Sequence, residues 1–481
     1  MIKTRFAPSP TGYLHIGSLR TALYNYLFAK QNKGIFMLRI EDTDQKREVS
    51  GALESLIQTL QKMGLNWDEG PVMDKDLNLT EKGQFGPYLQ SNRLKIYHEQ
   101  ALKLVKEGKA YYCTCSPERL AQLRTDQEAK NEAPRYDGHC RDLEIKAEKP
   151  NGNQPFVIRL KIPQDREVVF NDVIRGEVKF KSTEIDDQVL IKSDGYPTYH
   201  LANVVDDHLM EVTNVVRGEE WLPSTPKHIL LYEAFSWQAP QFAHLPLLLN
   251  ADKSKLSKRQ GDVAVEDYLA KGYLPEALIN YVALLGWHPN NNNEIFSLAD
   301  LVKHFDLNKV QKGGAIFDVN KLNWFNCYYI KQLPEKELLQ RCAEFLPNLD
   351  KNILLKILKV EKDRLNNLGD IVEKAKMFLD LPDYDAKILI FKKSTKETTL
   401  NGLNLALSAL ESVNENDWQK ETLNKILSKT VIDNGLTNGD IFWPIRVAVS
   451  GQEKSPAPEE IMEVLGQKDS LNRINIAINK L

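Results

Sequence analysis

The sequence predicts an α/β protein in three parts: a Rossmann-like parallel-sheet domain, an α/β insertion within it, and an all-helical C-terminal region. Three observations predict this. The first forty residues alternate strand, helix and strand. A stretch from about residue 111 interrupts that pattern with cysteines, a polar run and short β-rich pieces. After about residue 320 nearly every window is amphipathic helix. At about 150 residues per domain, 481 residues also call for roughly three domains.

Ile2 to Ala7 is a short apolar strand, and Pro8-Ser9-Pro10-Thr11-Gly12 is a turn cluster that a helix cannot enter. From Gly17 to Lys30 the apolar residues Leu19, Leu23, Tyr26 and Leu27 recur at helical spacing. Gly34 ends that helix. Ile35 to Ile40 is a near-continuous apolar run leading into Glu41-Asp42, as suits a parallel strand buried on both faces. Helices are expected over Gly51–Met63 and Ser91–Glu107. Within Tyr111–Lys192 come the polar run Asn131–Asn153 and three β-rich pieces, Phe156–Ile162, Val168–Val173 and Glu177–Phe180. The runs Val212–Val216 and Leu245–Leu249 read as strands that resume the sheet. Helical segments follow at Glu335–Phe345, Asn352–Val360, Leu403–Leu410 and Leu423–Leu427. The domains expected are residues 1–110 with 190–255, an insertion at 111–189, a connecting region at 256–325, and a helical region at 326–481.

Composition narrows the function classes. Apolar residues make up 42% and charged residues 27%, which excludes a disordered or collagenous chain. No stretch approaches the roughly 18 apolar residues of a bilayer span, and the start Met1-Ile2-Lys3-Thr4-Arg5-Phe6 lacks a secretory h-region. Five scattered cysteines argue against a disulfide framework and for a reducing cytoplasm. With 63 basic and 66 acidic side chains the net charge is −3, so a charge-driven coating of DNA is not expected.

Two segments carry the chemistry. His15 and Gly17 fall at a helix N-terminus after the first strand, where free backbone N–H groups and the helix dipole attract phosphate. Gly17 lets a purine or ribose lie against the backbone, and His15 can donate a hydrogen bond to a phosphate oxygen. Lys253-Ser254-Lys255-Leu256-Ser257-Lys258-Arg259 is a basic loop soon after a late strand, and Lys255 and Lys258 can neutralise a triphosphate and its leaving pyrophosphate. Either segment alone is common. The pair is what points to an ATP site.

Pro10-Thr11-Gly12-Tyr13-Leu14-His15-Ile16-Gly17 and Lys255-Leu256-Ser257-Lys258-Arg259 resemble the two signatures of class I aminoacyl-tRNA synthetases. Arg5-Phe6-Ala7-Pro8-Ser9-Pro10-Thr11-Gly12, Arg39-Ile40-Glu41-Asp42-Thr43-Asp44, Asp194 to Asn203 and Arg217-Gly218-Glu219-Glu220-Trp221 are similar to the bacterial glutamyl-tRNA synthetases in particular. Two positions depart from the signatures, Ser18 and Arg259. The resemblance implies that ATP activates glutamate with Mg²⁺ present, that glutamyl-adenylate forms, and that glutamate passes to the 3′-terminal adenosine of tRNA(Glu). It further implies His15, Gly17, Glu220, Leu248, Lys255 and Lys258 at the nucleotide, with His15 and Lys258 catalytic. Arg5, Ala7, Ser9, Glu41, Tyr199, Asn203 and Arg217 are implied at the glutamate. On this reading the insertion meets the tRNA acceptor end, residues 256–325 the stem and the helical tail the anticodon, and the enzyme is a monomer. Charging of tRNA(Gln) as well, or a glutaminyl enzyme, is the alternative.

Charge chemistry supports the substrate. Glutamate presents two carboxylates and one ammonium, so a buried pocket needs about two cations and one anion. Arg5 and Arg217 supply guanidiniums that bind carboxylates in a fork and reject the neutral amide of glutamine, and Glu41 has the sign to hold the ammonium. Tyr199 and Asn203, four apart, share a face if helical. Trp324, Phe325, Tyr328 and Tyr329 are aromatic enough to stack RNA bases, or to form core. Finally, Cys113-Thr114-Cys115 with Cys140 is a partial zinc pattern, and some relatives complete such a structural site with Tyr or His. Here Tyr136 is the retained candidate and Asp142 the alternative.

Overall fold

The computed structural model describes residues 1–481 except 45, 46, 48, 142–154, 257–262, 290 and 291. The expected opening unit is there: strand β1 (Lys3–Phe6), helix α1 (Ile16–Gln31) and strand β2 (Ile35–Leu38). β1 and β2 run parallel, with Lys3 opposite Ile35 and Phe6 opposite Leu38. Leu19, Leu23 and Leu27 of α1 are fully buried, each contributing about 2 kcal/mol of apolar burial. The turn before α1 needs Gly12, whose φ of +139° is open only to a residue without Cβ.

On the far side of β1 lie the strands Asn214–Gly218, Gln241–Leu245 and Glu167–Asp172, all parallel, and then Gly176–Lys181, antiparallel at the edge. From β1 the chain winds to β2 at one edge, and from Asn214–Gly218 it winds the opposite way to Gln241–Leu245. The strand order therefore reverses between these two strands, and ligands of such sheets bind at the carboxyl ends beside the reversal. Arg5 and Arg217 stand near the carboxyl ends of the two strands concerned.

Two expectations are corrected here. The strands Glu167–Asp172 and Gly176–Lys181, read as part of an insertion at 111–189, belong to the main sheet. The rest of that stretch builds its own antiparallel sheet from Ala110–Cys113, Val157–Leu160 and Val189–Ile191. The two sheets share one core, running from Ile158 and Leu190 through Leu201 and Leu231 to Phe242, so composition showed no border between them. The run Leu245–Leu249 is not one strand either. Pro246, which has no N–H to give a ladder, separates Leu245 from Leu248–Leu249, and the latter pairs with Ala315–Ile316.

The chain divides into two compact units, Met1–Leu269 with Pro275–Leu322, and Ala270–Leu274 with Asn323–Leu481. Among the described residues from Asn323 onward there is no strand. The helices Lys396–Glu411, Asn438–Ser450 and Gln467–Lys480 pack through Leu403, Ala406, Ile445, Ala448 and Ile474, all fully buried. Of the four aromatics flagged there, Phe325 is core, Trp324 is 50% exposed and Tyr328 is exposed. No described helix is long and apolar enough to cross a membrane.

Candidate active site

A cleft of about 1080 Å³ opens at the carboxyl ends of β1 and Asn214–Gly218. Arg5, Ala7, Ser9, His15, Gly17, Glu41, Tyr199, Asn203, Arg217 and Glu220 all line it. Leu248 lies beside Gly17, while Lys255 is exposed and is not among the lining residues. Lys258 falls outside the described residues.

At one end His15 caps α1 with an extended backbone, and its Nδ1 accepts the N–H of Gly17 at 2.9 Å. Nδ1 being the acceptor, a neutral imidazole carries its proton on Nε2, the nitrogen through which it can donate. A Cβ on residue 17 would stand 3.2 Å from Nδ1 and 4.0 Å from a methyl of Leu248. Gly17 therefore also keeps the imidazole in place, a role beyond the backbone approach expected for it.

Both flanks of segment 257–262 are anchored at this end. On one flank the N–H of Leu256 donates to the Leu248 carbonyl at 2.9 Å. On the other, Ile16 donates to Val263 and Val265 donates to Leu14, each at 2.8 Å. Glu266 then accepts the N–H of Leu14 at 3.1 Å and the hydroxyl of Thr59 at 2.9 Å. The stem of the basic loop is thus bonded to the His-x-Gly turn itself.

The other end is polar, buried and crowded with charge. The helix Tyr199–Leu209 puts Tyr199, Asn203 and Asp207 on one face, four residues apart. Asp207 accepts from Arg5 Nε at 3.1 Å and from Arg39 Nη1 at 2.7 Å. Burial pushes the Asp207 carboxyl up, but Arg5 and Arg39 outweigh this and hold it below the usual range. Glu41 accepts from Arg39 Nη2 at 3.1 Å and from Asn203 Nδ2 at 3.3 Å, and its burial lifts its affinity for a proton above the ordinary value. Arg5, expected to offer a whole fork, uses its Nε on Asp207. Its Nη groups have no hydrogen-bond partner among the described residues.

Arg217 differs from the other arginines of the site. It is 5% exposed, and no carboxylate of the described residues lies within 4 Å of it. Its Nε donates to His244 Nε2 at 3.1 Å. Its Nη1 reaches the Tyr199 hydroxyl at 3.0 Å and His228 Nδ1 at 3.3 Å. Its Nη2 reaches the Thr225 hydroxyl at 2.9 Å and the Trp221 carbonyl at 3.5 Å. Burial holds His228 and His244 below the usual imidazole range and brings His200, 3.0 Å from His228, down to about 4, so these rings are neutral at pH 7. A buried cation thus faces the cleft with neutral partners only, an arrangement that favours a bound anion.

Sequence reasoning missed Asp207, Thr225, His228 and His244. Asp207 was within reach, because it extends the i, i+4 series of Tyr199 and Asn203 by one more step. Thr225 and His228 share the helix Thr225–Ala234 and His244 lies on the strand Gln241–Leu245, and only the fold brings these elements to Arg217.

A second cluster lies in the smaller sheet. The sulfurs of Cys113, Cys115 and Cys140 lie within 4.8 Å of one another, those of Cys115 and Cys140 at 3.5 Å. The Tyr136 hydroxyl sits 3.4 Å from the Cys113 sulfur and 3.6 Å from that of Cys115. Tetrahedral zinc with bonds of about 2.3 Å holds its sulfurs a little under 4 Å apart, so this donor set fits the ion. Asp142 lies outside the described residues.

The catalytic-domain family of tRNA synthetases class I (E and Q) matches residues 1–324, and an anticodon binding domain matches residues 337–478. Glutamate–tRNA ligase of Alkaliphilus metalliredigens (strain QYMF) is 47% identical, covering 98% of each chain. That of Finegoldia magna is 45% identical over 100% of this chain and 99% of its own. A glutamate tRNA ligase from Elizabethkingia meningosepticum, crystallised in complex with its amino acid, superposes with a TM-score of 0.88 at 38% identity over 99% of both chains. Fold and cleft are those of a class I aminoacyl-tRNA synthetase. Within that class the chain belongs to the glutamate–tRNA ligase family.

Proposed function

We propose that this chain joins glutamate to tRNA(Glu) in two steps at the cleft between β1 and Asn214–Gly218. First the α-carboxylate of glutamate attacks the α-phosphorus of ATP, which arrives as its Mg²⁺ complex; the new C–O–P anhydride is glutamyl-adenylate, and pyrophosphate leaves. A hydroxyl of the tRNA 3′-terminal adenosine then attacks the anhydride carbonyl and AMP departs. The protein provides position and charge, not a covalent nucleophile.

The observation that carries this reading is Arg217, a buried guanidinium whose described partners are all neutral. It takes the side-chain carboxylate of glutamate, which replaces the longest contact, the 3.5 Å one to the Trp221 carbonyl. A neutral amide there leaves the cation uncompensated, which disfavours glutamine. Glu41, oriented by Arg39 and Asn203, holds the α-ammonium. Arg5, steadied by Asp207, offers its Nη groups to the substrate's negative charge. Ala7, Ser9, Tyr199 and Asn203 complete this half. His15, Gly17, Glu220, Leu248 and Lys255 serve the nucleotide, and Lys258 meets the phosphates. Zinc, when held by Cys113, Cys115, Cys140 and Tyr136, ties the smaller sheet together and takes no part in the reaction. The insertion serves the acceptor end, the region from 256 to 325 the stem and the helical unit the anticodon. The enzyme works as a cytoplasmic monomer, in keeping with its five unpaired thiols.

Charging of tRNA transcripts with labelled glutamate tests the reading. Label should enter tRNA(Glu), and its failure to do so in the presence of ATP and Mg²⁺ would refute the assignment. A tRNA(Gln) arm decides the partner: no label there is expected, and equal label would make the enzyme non-discriminating.

A further inference from the structure

Three adjacent parallel strands end side by side with a charged or ionisable residue each: Arg217, His244 and Asp172. Arg217 and His244 are direct register partners, so their side chains leave the sheet on the same face. His244 and Asp172 are fully buried or nearly so, and their side chains are sealed from solvent. Asp172 Oδ2 lies 2.6 Å from His244 Nδ1. The same carboxylate is fixed by the backbone N–H groups of Ile174 at 2.9 Å, Arg175 at 2.8 Å and His244 itself at 3.1 Å.

The donor and acceptor roles then follow without choice. An arginine only donates, so His244 Nε2, 3.1 Å from Arg217 Nε, must be an acceptor. The proton of the ring therefore sits on Nδ1, where an ionised, acceptor-only Asp172 receives it. A protonated or flipped tautomer would point an N–H at the N–H of Arg217. The Thr225 hydroxyl, 3.0 Å from His244 Nε2, and the Trp221 carbonyl close the same ring of contacts, and His228 faces the guanidinium from its other side.

Resting on the reading of Arg217 as the group that meets the substrate's side-chain carboxylate, we propose that Asp172 and His244 are positioning residues for glutamate specificity: Asp172 fixes the His244 tautomer, and His244 holds Arg217 in the orientation that accepts a carboxylate. Neither touches the substrate. Asp172 keeps its charge in place because the hydrogen bonds it accepts outweigh its burial and hold its carboxyl below the usual range. In Asp172→Asn the turn amides keep an acceptor oxygen, but the new amide N–H faces His244 Nδ1 and drives the ring proton to Nε2, against Arg217.

The test is amino-acid-dependent pyrophosphate exchange by the full-length enzyme with tRNA present, on Asp172→Asn, His244→Leu, His244→Gln and Arg217→Gln. The first two should raise the KM for glutamate about tenfold or more, leave the KM for ATP and kcat within about twofold, and narrow the preference for glutamate over glutamine. His244→Gln keeps an acceptor toward Arg217 and should recover most of the loss. Nitrogen-15 shifts of His244 should show an Nδ1–H ring in the parent and an Nε2–H ring in Asp172→Asn, a readout that misfolding does not mimic. If Arg217→Gln raises the KM for glutamate while Asp172→Asn and His244→Leu do not, the positioning role is overturned. If Arg217→Gln changes nothing, the reading of Arg217 fails and takes the proposal with it.

Discussion

Arg217, His228, His244 and the half-buried His200 form a group in which burial first, and neighbouring cations second, suppress the charge of three imidazoles. Burial acts first and the guanidinium second for His228, whereas for His200 Lys227 also contributes and Asp186 opposes. Each imidazole has a folded pKa below its unfolded value of about 6.5, so below that pH the unfolded chain binds more protons than the native one. The stability they give is complete above about pH 6.5 and is lost as pH falls toward the folded value, about 4 for His200. Urea unfolding at pH 7.5 and pH 5 should show this as a loss with a slope of up to about 1.4 kcal/mol per pH unit for each histidine. His200→Asn should flatten the slope. Glu41, lifted by burial, acts in the opposite sense, and the paired comparison removes its contribution. An unchanged slope in His200→Asn would contradict the neutral-ring picture. Much at this scale was readable beforehand: Arg5, Glu41, Tyr199, Asn203 and Arg217 share the cleft, as the resemblance implied and as charge and helical spacing supported. The histidines were not, because a lone His in a helix or a strand has no sequence pattern that names its neighbours.

Among the elements, the informative contact is between the stem of the basic loop and the His-x-Gly turn. Val263, Ala264 and Val265 extend along Leu14, His15 and Ile16, and Glu266 closes the contact on Leu14 and Thr59. Glu266→Ala should free the Leu14 N–H and loosen the turn that carries His15. The expected result is a rise of about tenfold in the KM for ATP with a smaller change for glutamate, measured by exchange kinetics. Equal change in both would place the coupling elsewhere. Sequence periodicity found α1, which is one turn of apolar residues after another, almost to the residue. It failed where two sheets share a core, so Glu167–Asp172 went to the insertion although it carries Asp172 into the main sheet. The break at Pro246 was legible and was passed over.

The whole molecule joins an α/β unit to a helical one, and the two family matches, over residues 1–324 and 337–478, follow that division. The tRNA contacts of the two units were named from resemblance, since neither charge nor aromatic content sets the tail apart: of Trp324, Phe325, Tyr328 and Tyr329, one at least is ordinary core. What physics supports is the sign of the ligand, because a buried guanidinium whose described neighbours are all neutral favours a bound anion. Exchange of labelled pyrophosphate into ATP, with tRNA present and either glutamate or glutamine as the amino acid, tests that claim most directly. Glutamate should support exchange at least about a hundredfold better in kcat/KM than glutamine; equal exchange with the two amino acids would contradict it.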